Sequence, residues 1–175
     1  MICFPLGTVF GRDMATRSFM ATPHNHQNCV DAAIEDAARL CGEKSLRFTQ
    51  IRRHVLELVW GSHTPIRAYD ILEGLRPAYP RAAPPTVYRA LDFLTDLGLI
   101  HRIESMNAFV GCNNPDHPHA GQFLICGACG TAAELDDSGI ENAVRRGAER
   151  LGFVVQQQTV EVTGLCPDCQ AARPN

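Results

Sequence analysis

The sequence predicts an α+β fold, in which an N-terminal winged helix-turn-helix domain is followed by a small α/β module. Four segments between residues 30 and 98 carry apolar residues at helical spacing, and two short extended runs follow them. Residues 111–175 then alternate strand-like and helix-like patterns. Helices that lead into a β-hairpin are in the order that a winged helix requires.

The four helices of the first domain have recognisable signals. Val30–Leu40 and Ala68–Leu75 each carry an apolar stripe, and these two runs give the first and third helices. Thr49 can cap the second helix and Gly61 can end it. Pro84 suits the first turn of the fourth helix. The predicted core stripe of that fourth helix consists of Val87, Ala90, Leu91 and Leu94.

Two extended runs, Leu99–Glu104 and Ala108–Cys112, flank the turn-forming residues 105–107 and predict a hairpin. In a winged helix the hairpin is the wing, and the fourth helix is the recognition helix that enters DNA. The alternative is a small helical domain with an unrelated hairpin.

The C-terminal part has its own pattern. Gln122–Ile125 predicts a strand, and Ser138 with Glu141 forms a capping box that opens a helix. Phe153–Thr163 is rich in Val, Thr and Gln and predicts a long extended segment. The residues expected on one face of the helix are Ile140, Val144, Ala148 and Leu151.

These patterns divide the chain into three parts. Residues 1–24 are expected to be a disordered leader or a mis-assigned start, because Met14 and Met20 are also plausible starts. Residues 25–111 form the winged-helix domain and residues 112–175 the second module. No run approaches the ~18 apolar residues that cross a bilayer, so no membrane association is expected.

Charge and cysteine content point to different roles for the two halves. Residues 44–110 carry nine basic against six acidic residues, whereas residues 111–175 carry four against eight. The middle segment is therefore the part suited to phosphates. Five of the eight cysteines lie after residue 110. Without a secretion signal, paired cysteines favour metal binding in a reducing compartment, which predicts a cytoplasmic protein.

Two CxxC pairs are the strongest signal in the chain. Cys126 and Cys129 form one pair, and Cys166 and Cys169 form the other. Two thiolates separated by two residues can reach one tetrahedral Zn²⁺ at ~2.3 Å. A four-cysteine site has no open position, so the predicted role is structural. The alternative is a pair of disulfides.

A second set of potential ligands consists of His101, Cys112, His119 and Glu134. Nitrogen, sulfur and oxygen ligands together suit zinc. Each residue also has an ordinary interpretation: a wing residue near DNA, a buried thiol, a loop residue and a solvated acid. Because Cys112 opens a loop dense in ligands, His117 competes with His119 for the third position.

The run from Pro85 to Leu91, Pro-Thr-Val-Tyr-Arg-Ala-Leu, leads into Leu-Gly-Leu-Ile-His at residues 97–101 and is followed by both CxxC pairs. In these features the chain resembles the ferric uptake regulator family, and within it the zinc uptake regulators. The resemblance covers roughly residues 30–170. It implies a dimerisation domain at residues 112–175 and a homodimer on operator DNA, and it leaves open whether dimers pair there.

The resemblance also implies two zinc ions per subunit. One is the structural four-cysteine site, and the other is a regulatory site at the hinge between the domains. Matched by position, the regulatory ligands are His101, Cys112, His119 and Glu134. A thiolate at Cys112 favours zinc over iron, because iron and peroxide sensors of the family use only oxygen and nitrogen ligands there.

The first turn of the fourth helix is the part expected to read bases, because Asp92 and Asp96 further along would repel phosphates. Arg89 can bond a guanine edge or a phosphate, and the alternative for Tyr88 is a core aromatic. Arg47, Arg52, Arg53 and Arg76 are unranked candidates for backbone contacts. The residues expected at the DNA are Tyr69, Pro85, Thr86, Tyr88 and Arg89.

The predicted function is a zinc-responsive repressor of zinc uptake genes, which is not an enzyme. One alternative is an iron- or peroxide-sensing regulator of the same family. The other is a zinc hydrolase or deaminase in which Glu134 acts as acid and base. The His-x-Glu signature of the deaminases is missing.

Overall fold

The computed structural model describes residues 26–61, 64–116, 119 and 121–172. The leader predicted over residues 1–24 lies outside this part of the chain. No helix within the described residues combines the length and apolarity needed to cross a bilayer.

All four predicted helices of the first domain are present. They are α1 (His26–Glu43), α2 (Gln50–Trp60), α3 (Ala68–Leu75) and α4 (Pro84–Asp96). The Thr49 side chain caps α2 by accepting a hydrogen bond from the Arg52 backbone N–H, at 3.4 Å. Helix α1 is longer at both ends than the sequence pattern predicts, because polar residues begin it before its apolar stripe and buried Cys41 continues that stripe at its other end.

The predicted hairpin is confirmed. Strands β2 (Ile100–Ile103) and β3 (Ala108–Gly111) pair antiparallel, and a short strand β1 (Ile66–Arg67) joins the other edge of β3. Strand β1 was not predicted, because two residues are too few to show an alternation. We call residues 100–111 the wing.

The core of this domain lies between the helices and the wing. The predicted stripe of α4 is buried throughout, and it packs against buried residues of α1, α2 and α3. The buried residues of α4 are Val87, Ala90, Leu91 and Leu94. The opposite face of the helix is therefore not required for packing in the core.

The second module is a three-stranded sheet with two helices. Its elements are β4 (Gly121–Cys126), β5 (Ala132–Glu134), α5 (Ser138–Arg150), β6 (Thr159–Gly164) and α6 (Pro167–Ala171). Strand β4 is central, antiparallel to β5 and parallel to β6. The predicted strand and helix are confirmed, whereas β5 and α6 were not predicted.

Two details of the predicted module are wrong. The cap of α5 is Asp137 and not Ser138, because the Asp137 carboxylate accepts the Gly139 N–H at 2.6 Å. The extended segment is a strand only over β6. Strand β4 offers six residues for parallel pairing, and they are matched by Thr159–Gly164, so residues 153–158 have no strand beside them.

Helix α5 buries none of its residues within a single chain. On its predicted apolar face, Val144 is 41% and Leu151 85% exposed. Phe153, Val154 and Val162 are also exposed and lie after α5 and on β6. We call these five residues the exposed apolar patch.

The wing packs directly on the second sheet. Ile103 of the wing is fully buried with Phe123, Ile125 and Ala132, and Met106 and Val110 pack against this group. We call these six residues the interdomain core. It connects the two domains through apolar contacts in addition to any polar ones.

Gly111 at the end of the wing should not tolerate a side chain. A Cβ there would lie 2.2 Å from Cε2 of the Trp60 ring, which closes over the backbone at this point. We expect Gly111→Ala to lower the free energy of unfolding by about 1–3 kcal/mol through overpacking. Urea denaturation measures the change.

The matched control is Gly42→Ala in α1, where a Cβ would meet nothing within 4 Å. That substitution should stabilise the protein by about 0.5–1 kcal/mol, because glycine is unfavourable inside a helix. If Gly111→Ala unfolds at the same urea concentration as the wild type, the close approach of Trp60 is not a constraint.

Candidate metal centres and nucleic-acid interface

The four cysteines of the CxxC pairs come together at one end of the second sheet. Cys126 ends β4 and Cys166 is the N-cap of α6, while Cys129 and Cys169 follow in the adjoining turn and helix. All four sulfur atoms lie within 4.8 Å of one another. We call these residues the thiolate cluster.

Local backbone geometry creates this convergence. The turn after β4 closes with a hydrogen bond from Gly130 N–H to the Cys126 carbonyl at 2.9 Å, and it needs the positive φ of 75° that Gly130 adopts. Gly127 N–H donates to the Gly164 carbonyl at 2.9 Å, which aligns the ends of β4 and β6. The second CxxC pair therefore starts directly beside the first.

The thiols perturb one another strongly. Backbone N–H groups of Cys166 and Cys129 donate to the Cys126 sulfur and lower the pKa of that thiol to about 6. Hydrogen bonds with the other sulfurs, that of Cys166 foremost, raise the pKa of Cys169 to about 12. Four thiolates at this spacing need a cation among them.

The distances fit a tetrahedral zinc site. Zn–S bonds of ~2.3 Å place neighbouring sulfurs about 3.8 Å apart. The Cys129 and Cys166 sulfurs are 3.8 Å apart. Each of the four cysteines is free of disulfide bonds. The geometry thus suits a metal better than the disulfide alternative.

The second predicted set also converges, at the junction of the two domains. His101 lies on β2, Cys112 directly follows β3, His119 lies in the connecting loop, and Glu134 ends β5. Their ligand atoms lie within 4.8 Å of one another. We call these four residues the hinge cluster.

A single carboxylate oxygen is at the centre of the hinge cluster. Oε1 of Glu134 is 2.7 Å from Nε2 of His119 and 2.9 Å from Nε2 of His101. The Cys112 sulfur is 3.6 Å from the same His119 nitrogen. Tetrahedral zinc with ~2.0–2.3 Å bonds separates its ligand atoms by about 3.3–3.8 Å, so small movements would admit the ion.

The environment keeps Glu134 ionised. Burial opposes the charge, but hydrogen bonding and attraction from His101 outweigh it, with further hydrogen bonds from Asn113 and His119. Together they lower the pKa of Glu134 to about 2. Its second oxygen accepts the Asn113 backbone N–H at 3.1 Å. The carboxylate is thereby fixed in orientation and ready to bind a cation.

The loop that carries His119 is held from outside by α1. Arg39 contacts Asp116 at 2.5 Å and also Asp36 and Glu43 of its own helix. The sequence analysis did not predict this contact. His117, the rival ligand, lies outside the described residues.

The residues of α4 that are predicted to contact DNA differ in their exposure. Pro85 and Arg89 are exposed, Thr86 is half-buried, and Tyr88 is 48% exposed, so the core alternative for Tyr88 is wrong. Arg89 makes no hydrogen bond or ion pair with the other residues that the structure describes. Tyr69 on α3 is 67% exposed.

The arginines considered for contacts with the DNA backbone differ in the contacts that they make within the chain. Arg76 pairs with Glu73 at 2.8 Å, and Arg52 lies over the Phe93 ring at 3.4 Å. Arg53 lies 5.6 Å from the Phe48 ring. Arg67 and Arg81, which the sequence analysis passed over, are exposed at the starts of α3 and α4. Their place before each helix was the available signal.

One more polar contact ties the domains and was not predicted. Glu161 on β6 accepts hydrogen bonds from the backbone N–H groups of Glu104 at 2.6 Å and Ser105 at 3.1 Å, at the tip of the wing. Burial opposes the charge of Glu161, but a hydrogen bond from the Ser105 side chain and these two backbone bonds outweigh it and lower the pKa of Glu161. In sequence the residue is one acid among the valines of β6.

Comparison with known proteins identifies relatives over most of the chain. Residues 43–163 match the ferric uptake regulator family. The chain is 39% identical over 137 residues to the zinc uptake regulation protein of Escherichia coli (strain K12), covering 78% of this chain and 80% of that protein. A zinc uptake regulator complexed with zinc and DNA superposes with a TM-score of 0.78 at 38% identity, over 81% of this chain and 95% of the other. Holo XcZur superposes with a TM-score of 0.75 at 44% identity, over 81% and 99%.

Proposed function

Because the chain belongs to the ferric uptake regulator family, we propose that it is a zinc-responsive transcriptional repressor. It acts in the cytoplasm, where thiols stay reduced, and binds operator DNA as a homodimer to control zinc uptake genes. The similarity to zinc uptake regulators over both domains supports this.

The hinge cluster is the observation that carries the proposal. His101 belongs to the wing and Cys112 follows it, whereas Glu134 belongs to the second sheet. Zinc held by these residues and His119 would tie the two domains at one angle. A dimer reads two half-sites only when its recognition helices match the spacing of the DNA turn, so a fixed angle favours binding.

The thiolate cluster would hold the second zinc of each subunit. All four positions come from cysteine, as in sites that stabilise a fold without catalysis. Because this cluster fastens β4 to the segment after β6, its role is to hold the second module together.

Two alternatives are disfavoured by the hinge cluster. Catalytic zinc sites keep one position for water, whereas four ligand atoms converge here. Iron sensing is disfavoured because Cys112 supplies a soft ligand, which suits zinc better.

The exposed apolar patch supports the homodimer. Four of its five apolar side chains lie within residues 144–154, and clustered exposed apolar residues commonly mark a protein interface. Strand β6 is also the edge of its sheet, and edge strands present unpaired backbone groups to a partner. A second copy of the chain would cover both.

DNA reading is assigned to the first turn of α4. Arg89 projects from the exposed face, with Tyr88, Thr86 and Pro85 beside it and Tyr69 on α3. Asp92 and Asp96 are exposed further along the helix and would repel phosphates. Arg89 is therefore the residue placed to bond a guanine edge.

Removing one thiolate should disrupt the second module. Cys126→Ser takes a ligand from a site whose binding free energy, on the order of 10 kcal/mol, is coupled to folding. We expect loss of one zinc per chain and a monomeric or aggregated protein, measured by metal analysis and sedimentation. Cys29→Ser on α1 is the control and should behave as wild type. A soluble dimer of Cys126→Ser with both zincs would contradict a structural role.

Arg89→Ala should abolish specific operator binding and leave both zincs and the dimer unchanged. The expected loss is about 1–3 kcal/mol per half-site, measured by fluorescence anisotropy at matched salt. Arg146→Ala, which removes an exposed charge from α5, controls for net charge. Equal operator affinity of the wild type and Arg89→Ala would exclude Arg89 from the reading surface.

The hinge variants Cys112→Ser and His101→Ala should keep the structural zinc and the dimer but lose the response of operator binding to zinc. A coupling free energy of about 1–3 kcal/mol is ordinary for such linkage. The same factor must appear in reverse, as tighter binding of the second zinc when operator is present. Titration with zinc, iron and manganese, with and without operator, measures both directions. Zinc-dependent repression by either variant would rule out the hinge mechanism.

A further inference from the structure

A residue of the second module, Glu161, contacts the tip of the wing, and we call this contact the clasp. Both oxygens of the Glu161 carboxylate accept backbone N–H groups, from Glu104 at 2.6 Å and from Ser105 at 3.1 Å. Both donors belong to the turn between β2 and β3. This contact is separate from the hinge cluster, which meets the wing at its other end.

Sheet register explains why the contact is directional. Phe123 of β4 is paired with Glu134 on one side and with Glu161 on the other. Residues paired in register project from the same face of a sheet. We call these three residues the cross-strand row. Glu134 enters the hinge cluster, Phe123 enters the interdomain core, and Glu161 reaches the tip of the wing.

The clasp needs the specific chemistry of a carboxylate. Two convergent N–H groups present partial positive charge, and an ionised carboxylate accepts both at once. An amide at the same position would offer one accepting oxygen and one donating nitrogen. Two donors are backbone groups and a third is the Ser105 side chain, so the contact depends both on where the turn lies and on the residue at position 105.

We propose that Glu161 is a positioning residue that holds the wing in the operator-binding orientation, so that the two domains favour this orientation before the hinge cluster binds metal. The inference rests on the proposed function, since it concerns how that hinge is biased. Glu161 would then share with the regulatory ion the task of fixing the orientation of the wing.

This role has a thermodynamic signature. If only the clasped orientation binds both zinc and operator, loss of the clasp lowers the apparent zinc affinity of the free dimer by the fraction that remains clasped. In the operator-bound dimer, the DNA itself holds the two domains in the clasped orientation. The zinc affinity of the operator-bound dimer should therefore be independent of Glu161.

The test uses the full-length dimer with the structural zinc in place. Competition with a chromophoric chelator measures the affinity for the second zinc, with and without operator, in wild type and Glu161→Gln. We expect Glu161→Gln to bind the second zinc about tenfold more weakly in the free dimer, equivalent to about 1.4 kcal/mol. The operator-bound forms should agree within about twofold. Glu149→Gln, which removes an exposed carboxylate from α5, should match the wild type.

A second variant approaches the same contact from the wing. Ser105→Pro removes both the N–H and the hydroxyl donor of Ser105 and leaves β6 untouched, at a turn position where proline is tolerated. Combined with Glu161→Gln it should add little further loss, because both changes break one contact. If Glu161→Gln does not form dimers, Ser105→Pro decides the question.

Small-angle scattering of the dimer without the second zinc gives a readout that needs neither metal nor operator. The variants should show a larger radius of gyration than the wild type. Equal zinc affinities of the free dimers, or an equal loss in the free and operator-bound forms, would overturn the proposal. A wild type whose operator binding ignores zinc would instead refute the proposed function, and the scattering comparison would still judge the clasp.

Discussion

The arrangement of the two domains depends on the cross-strand row of Glu134, Phe123 and Glu161. These residues project from one face of the second sheet and meet the wing at its base, middle and tip. The three contacts differ in kind: a polar cluster with metal-binding chemistry, an apolar core, and a carboxylate on two backbone N–H groups. Only the first has the ligands to bind a metal ion, so under the proposed mechanism the remaining two would bias the orientation that the ion then fixes.

The three contacts between the wing and the second sheet differ in how precisely they can fix the angle between the domains. The apolar core gives little angular precision, because hydrophobic contact is non-directional. The Glu161 clasp is directional but exposed to competition from water. The hinge cluster is largely buried, and its charge-assisted contacts at Glu134 are short. Without a cation, two imidazoles and a thiol surround one carboxylate, and that balance changes when a divalent ion enters. The wing would therefore be held both by the hinge cluster, which can respond to a metal ion, and by the interdomain core and the clasp, which do not need one.

The sequence predicted the local elements better than their connections. The helices of the first domain and the wing followed from apolar spacing and from Thr49 and Pro84, because these signals act within a few residues. Strands β1 and β5 are two and three residues long and exist only through their partners. The cap at Asp137 was missed because a neighbouring Ser/Glu pair fits the capping-box pattern equally well in sequence. Residues 153–158 have strand-like composition but no strand to pair with.

For the candidate sites, too, local features could be predicted from the sequence better than long-range contacts. The CxxC pairs could be located from spacing alone, whereas the hinge cluster required a resemblance, since its four residues are separated by up to 33 positions and share no motif. Glu161 could not be predicted from the sequence, because its partners, two backbone N–H groups and the Ser105 side chain, lie more than 50 residues away and form no motif with it. Contacts of that kind depend on the placement of a turn in space, which composition and periodicity do not encode.

The two candidate metal centres are connected through the strands that carry the cross-strand row. Cys126 ends the strand that contains Phe123, and the thiolate cluster receives its second pair immediately after the strand that contains Glu161. The Gly127 and Gly164 backbones are hydrogen bonded at that end, so the cluster fixes the register of β6 against β4. A slip of one residue would turn Glu161 to the opposite face of the sheet. If the thiolate cluster holds a structural zinc as proposed, it also determines where the contact of Glu161 with the wing can form, and a module without the cluster would lose its position against the wing as well as its own fold.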